Sequence, residues 1–261
     1  MMLHRTCLTS LILPTKGIKV VKSLGAFLIS IFLTLSSSLS LASDGAGVSG
    51  GLILLNDTSA RAMALSGALG TAKNDIAALG YNPASLSSLK SGHATLLHEQ
   101  GLVDDHFSQV MVGHPFSFGN MGLSLGYFDG GDFDLFDGTS RQNVTAQTDY
   151  VLSVGYGKNW GNSSLGAALK FISSELAETE SASAIAADLG YAFDLHPRLR
   201  AGAALQNLGT KLKFINEGDD LPRILRAGLS YLLLTDRHPT TLFLDVPYSV
   251  NESELEGAIG A

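Results

Sequence analysis

Asn120-Met121-Gly122-Leu123-Ser124-Leu125-Gly126-Tyr127 alternates residue by residue: Met121, Leu123, Leu125 and Tyr127 in one phase, Asn120, Gly122, Ser124 and Gly126 in the other. A strand sends successive side chains to opposite faces, so this octapeptide has one apolar face and one small or polar face. A helix would scatter the same four apolar residues around its axis. The pattern therefore reads as a strand, and its neighbours repeat it.

Downstream, Tyr150, Leu152, Val154 and Tyr156 alternate with Val151, Ser153 and Gly155, and Leu165, Ala167, Leu169 and Phe171 with Gly166, Ala168 and Lys170. The same rhythm covers Ile185 to Phe193, Leu199 to Gln206, Leu225 to Leu233 and Thr241 to Val246. Two weaker strands, His93 to Glu99 and His106 to Gly113, come before Asn120, so nine strands are visible by Val246 and Leu255 to Ala261 opens a tenth. An all-β antiparallel meander follows. Strands of about 9–11 residues suit a tilted crossing of a bilayer. Tyr127, Tyr150, Tyr156, Trp160, Tyr191, Phe193 and Tyr231 fall at or near strand ends, where interfacial aromatic girdles sit. Lys170, Asp188, Arg200, Arg226 and Asp245 occupy mid-strand places in the small-residue phase. Charge there cannot face lipid cheaply, so these five are predicted to face a lumen or a plug. A periplasmic sandwich with one solvated face is the alternative that alternation alone leaves open.

Export comes from the front of the chain. Residues 1–42 hold Arg5, Lys16, Lys19 and Lys22 and no acid, and Leu24 to Leu41 is apolar and Ser-rich. With Ser40-Leu41-Ala42 at its end, this is a signal peptide, with cleavage predicted after Ala42. Of 17 basic and 24 acidic residues, 13 and 24 remain after cleavage, a net charge of −11. Such a chain is no candidate for nucleic-acid binding. The one cysteine, Cys7, lies in the signal, so the mature chain has no disulfide or thiolate metal site. No apolar run after Ala42 is long enough for a transmembrane helix, so a membrane-bound form must cross as strands.

Residues 43–91 are rich in Ala, Gly and Ser and lack alternation. Ala60 to Ala68 and Asn74 to Leu79 read as short helical pieces. Another starts at Pro83, with Asn82 as its N-cap and Ala84 next in the turn. These pieces need another surface to bury Met63, Leu65, Ile76 and Leu79. Residues 43–91 are accordingly expected to form a plug inside strands 92–261.

No catalytic constellation stands out, and no enzymatic activity, cofactor or metal is expected. Gly45 to Gly50 matches G-x-G-x-x-G without the strand before it or the helix after it. Gly122-Leu123-Ser124-Leu125-Gly126 matches G-x-S-x-G, but Ser124 lies inside an alternating strand rather than on a strand-to-helix elbow. Asp129, Asp132, Asp134 and Asp137 lack the spacing of a calcium loop and read as a solvated acidic turn. His93, His98, His106 and His114 lack metal-ligand spacing.

Ala60 to Ala68, Asn74-Asp75, and Tyr81-Asn82-Pro83-Ala84-Ser85-Leu86 resemble the N-terminal signature of the PorV/PorQ outer-membrane family, itself similar to the FadL fatty-acid channels. Ala187-Asp188-Leu189-Gly190-Tyr191, Leu205-Gln206-Asn207-Leu208-Gly209 and Leu221-Pro222 extend the resemblance over residues 50–261. Ser85 stands where the family has Gly, and Asn74-Asp75 where it has an Asp pair. The resemblance implies a bacterial outer-membrane β-barrel of about fourteen strands. Against that number the chain reads as C-terminally truncated. It implies a non-enzymatic role in envelope transport, protein secretion or surface anchoring, with outer-membrane lipid and secretion components or exported cargo as partners. The alternative is a FadL-like channel for hydrophobic small molecules, with an apolar pocket lined by Met63, Leu65 and Ile76 and the Asn82-Pro83-Ala84 turn as a hinge. Capping accounts for that turn structurally without a hinge.

Overall fold

The computed structural model describes residues 49–102, 104–138, 140–215, 217–234 and 239–261. The expected signal peptide, residues 1–42, lies outside them. The fold is all-β: of the described residues 63% are strand and 10% helical.

Nine long strands run as an antiparallel meander: β1 (His93–Gln100), β2 (His106–Phe116), β3 (Gly119–Asp129), β6 (Gln147–Trp160), β7 (Ser163–Leu176), β8 (Glu180–His196), β9 (Leu199–Gly209), β12 (Ile224–Leu234) and β13 (Pro239–Ser249). Each alternating stretch of the sequence lies within one of them. Two short strands, β14 (Glu254–Leu255) and β15 (Ala258–Gly260), pair with β13 and complete an 11-stranded sheet. Hairpins β4 (Asp132–Asp137) with β5 (Ser140–Thr145), and β10 (Leu212–Lys213) with β11 (Gly218–Asp219), lie off the sheet in the links from β3 to β6 and from β9 to β12. The acidic stretch expected to be a solvated turn is thus a hairpin. Phe133 pairs with Val144, and Phe136 with Arg141, across its ladder. Among the described residues β1 does not pair with β13, β14 or β15, so the sheet's two edges remain separate.

The sheet is strongly curled. Eight inter-strand steps of about 4.8 Å would set β2 and β15 roughly 38 Å apart in a flat sheet. Yet Met111 of β2 and Ala258 beside Ile259 of β15 belong to one buried cluster with Leu65, Leu69, Ile76 and Leu86. Residues 49–91 supply the centre of that cluster as short turns: 3-10 at Leu52–Leu55, α at Ala60–Ala64, and 3-10 at Ile76–Gly80 and Pro83–Ser88. The second piece begins at Ile76 rather than Asn74, because Asp75 accepts from the Ala77 N–H as its N-cap and Asn74 is left-handed at φ 55°.

Glycines let these turns approach the sheet. Gly113 pairs with Gly122, Gly122 with Gly155, Gly157 with Gly166, Gly166 with Gly190, and Gly202 with Gly228. A Cβ at Gly113 would lie 2.6 Å from Ile76, and one at Gly157 2.7 Å from the Ser87 nitrogen. The small-residue phase of the strands is the face on which residues 49–91 rest.

Candidate functional site

The outward phase is apolar. Leu123, Leu125, Leu152, Val154, Leu165, Leu169, Ile185, Leu189, Leu229 and Leu244 are all exposed. The inward phase carries the charge. Lys170, Asp188, Arg200, Arg226 and Asp245 are all buried against the N-terminal segment or neighbouring strands, with Asp188 and Asp245 at 0% exposure. The usual soluble arrangement is inverted, since these residue types are seldom fully buried unless paired.

Each inward charge has partners. Lys170 Nζ lies 2.7 Å from Asp188 Oδ2 and donates to Asn207 Oδ1 at 2.7 Å. The Asn207 N–H donates to Asp188 Oδ1 at 2.7 Å and its Nδ2 to the Pro222 carbonyl at 2.8 Å. A bulge makes this geometry: the β8–β9 register shifts between Ala187 and Leu189, and Asn207 takes φ 59°. Asn reaches left-handed backbone more readily than most residues, which accounts for it here.

A second knot ties the N-terminal segment to β9, β12 and β13. Asp245 Oδ2 accepts from the Gly70 N–H at 2.7 Å and lies 3.5 Å from Arg226 Nη1. Arg226 also donates to Gln206 Oε1 and to the Gly67 carbonyl, and sits 5.0 Å from the centre of the Tyr81 ring. Gln206 donates to the Gly80 carbonyl at 2.6 Å. Tyr81 donates to Asp57; burial first, then that hydrogen bond, pushes its phenol above the ordinary tyrosine range and keeps it a donor. Arg200, near the other end of β9, lies 3.5 Å from Asp194, which also holds Lys73 at 2.8 Å. Breaking glycines in residues 67–80 leave backbone groups without helical partners, and these wall side chains satisfy several of them.

Asn82-Pro83-Ala84 sits where β7 and β8 meet the segment. Asn82 Oδ1 accepts from the Ala84 N–H at 3.0 Å, capping the turn that starts at Pro83, and Nδ2 donates to the Tyr191 carbonyl on β8 at 3.2 Å. A Cβ at Gly166 would collide with the Pro83 and Ala84 backbone. Three motifs far apart in sequence, at 81–86, 187–191 and 205–209, are therefore joined through one interface.

Of the predicted apolar face, Leu65 and Ile76 are buried but Met63 is 41% exposed. In a helix of one turn, Ala62 and Leu65 lie three residues apart and face the core together, which turns Met63 outward. A cavity of about 290 Å³ lies between the segment and the strands. Its wall includes Gln109, Ser124, Ser153, Lys170, Gln206 and Arg226, and not Met63, Leu65 or Ile76. The pocket expected on those three is replaced by a mixed one, in which Ile53, Leu54, Leu79, Met111 and Val151 stand beside these polar groups.

Sequence reasoning singled out charges and passed over the amides. Asn120 donates to the carbonyls of Leu86 and Leu89 at 2.7 and 2.9 Å, and Asn159 to that of Ser87 at 3.0 Å. Asn120 stands in the inward phase of the opening octapeptide, which was the available signal. Among the described residues no group of three or more His, Cys, Asp or Glu could hold a metal ion. No protein-family model matches the chain, and no curated protein matches it.

Proposed function

We propose that this chain is a non-enzymatic β-barrel protein of the bacterial outer membrane, filled by its N-terminal segment and acting in protein secretion or surface anchoring. The observation that carries the reading is the inverted sheet: apolar side chains line the outward face of the strands, and charge is buried on the inward face. An apolar surface spread over so many strands far exceeds the few hundred Å² that soluble monomers leave exposed. Lipid is the solvent that stabilises it, and alternation with apolar side chains outward is the pattern of strands in lipid.

Strand length and aromatics support the same solvent. Eight of the nine long strands have 11 residues or more, against the 9–11 that a tilted crossing needs. Tyr156, Trp160, Tyr191, Phe193 and Tyr231 are exposed on the outward side, where an interface would hold them. A soluble sandwich would require the outward leucines to be covered and the inward charges solvated, the reverse of their burial.

The secretion and anchoring role rests on the resemblance to the PorV/PorQ family and on how the interior is filled. Lys170–Asp188 and Arg226–Asp245 lock strands to one another and to the segment, which suits a scaffold better than a gate. The hydrophobic-channel alternative loses support because the cavity omits the three apolar residues on which it depended and holds Lys170 and Arg226 in its wall. Outer membranes isolated from cells expressing the full-length gene product test the reading by gel mobility before and after boiling. A heat-dependent shift in that fraction is expected. Recovery in the soluble periplasm would overturn the membrane assignment.

A further inference from the structure

We propose that a second, smaller cavity, bounded by the start of β9, by β12 and β13 and by residues 61–73, binds a phosphate group. It measures about 160 Å³, which at about 30 Å³ per water in the liquid leaves room for a group of five heavy atoms. Arg61, Lys73, Arg198 and Arg200 line it, and among the described residues no carboxylate does.

Its floor holds polar atoms without partners. Thr71 is 1% exposed and Arg200 is 4% exposed, and neither Thr71 Oγ1 nor Arg200 Nε has a hydrogen-bond partner. Buried donors left unmade carry a desolvation cost, and an Arg N–H can only be satisfied by an acceptor. Ser230 donates to the Thr71 carbonyl at 3.5 Å and accepts from neither atom. An oxyanion over the floor would accept from both.

Charge sets the rest of the chemistry. Arg61 is paired with Asp75, and Asp194 serves both Lys73 and Arg200. Arg198 has no side-chain partner among the described residues and is exposed at the turn before β9. Four cations thus meet two carboxylates, an excess of two positive charges that matches a phosphate monoester. A carboxylate carries one negative charge on two oxygens in a single plane, whereas a tetrahedral phosphate monoester carries up to two and presents oxygens to floor and mouth together. Arg binds such groups through paired N–H donors and Lys as a point charge.

The phosphate could arrive free or on a lipid headgroup, and the site's chemistry is the same for both. This inference stands on the cavity alone and does not depend on what covers the outward face. The test uses the full-length mature protein in a non-ionic detergent, titrated by calorimetry with inorganic phosphate and, separately, with dihexanoylphosphatidic acid. Saturable binding of one or both is expected, weakened about tenfold by Arg198→Gln and by Thr71→Val, the loss of one charge-assisted hydrogen bond each. Arg198 is exposed and the Thr71 change is nearly isosteric, so both variants keep the fold; unchanged heat-dependent mobility or circular dichroism checks it. Tighter binding of phosphatidic acid than of inorganic phosphate identifies a headgroup site, and equal or weaker binding a site for soluble phosphate. No saturable binding of either probe, or binding that both variants leave unchanged, overturns the proposal.

Discussion

On β7, Leu165, Leu169 and Phe171 are 49%, 64% and 47% exposed, while Ala168, Lys170 and Ile172 between and beside them are at most 7% exposed. One strand therefore presents hydrocarbon outward and hides a lysine. The inward face works as a protein interior does, by setting its buried lysine and arginines against aspartates and its glycines against the N-terminal segment. The outward face has no protein partner among the described residues, and on the proposed reading it meets a solvent that is itself apolar. Burial and hydrophobicity, which usually travel together, are separated here by which side of the sheet a residue is on.

The difference is broken most severely from inside. Asp188→Leu leaves Lys170 buried without its counter-charge and is expected to cost about 3–5 kcal/mol. Adding Lys170→Met to it restores most of that loss. Urea unfolding of the protein in lipid vesicles reads both values. If the single variant were no worse than the double, the inward face would be wetter than its burial implies.

Leu169→Arg sharpens the comparison from the other side. On a lipid-facing strand near mid-length it costs about 2–4 kcal/mol. On a water-facing surface the same change stays within about 0.5 kcal/mol. Gly166→Ala probes the close approach, since its methyl group meets the Pro83 and Ala84 backbone. Overpacking there is expected to cost about 1–3 kcal/mol, whereas Ala167→Val, on the opposite face, is close to neutral. The smallest effect is that of Asn82→Ala, about 1 kcal/mol for a lost cap. Thermal unfolding in detergent orders these last two.

The strands were legible in the sequence because period-two alternation is local: Leu123 and Ser124 announce their faces without reference to the rest of the chain. The inward charges were legible for the same reason, as mid-strand exceptions in the small-residue phase. What long-range packing decides was not. Met63 faces outward because a single helical turn has room for only one inward stripe, which Ala62 and Leu65 fill. The β4–β5 hairpin hides behind an aspartate-rich composition that turns and exposed strands share. Asn207 reveals itself only once the bulge opposite Asp188 places it in left-handed backbone. Curling of the sheet depends on glycines brought into register across neighbouring strands, a relation between distant segments that no single window contains.

The central claim is that the outward phase faces lipid. The only cysteine of the chain is Cys7, within the predicted signal peptide, so single cysteines can be placed at each position from Asn120 to Tyr127 in the mature protein and spin-labelled. Collision with lipid-soluble oxygen and with a water-soluble nickel chelate is then measured in native-lipid vesicles. The account predicts high oxygen and low nickel accessibility at positions 121, 123 and 125, and low accessibility to both at 122 and 124. Nickel accessibility at 121, 123 and 125 would show water on the outward face and contradict it.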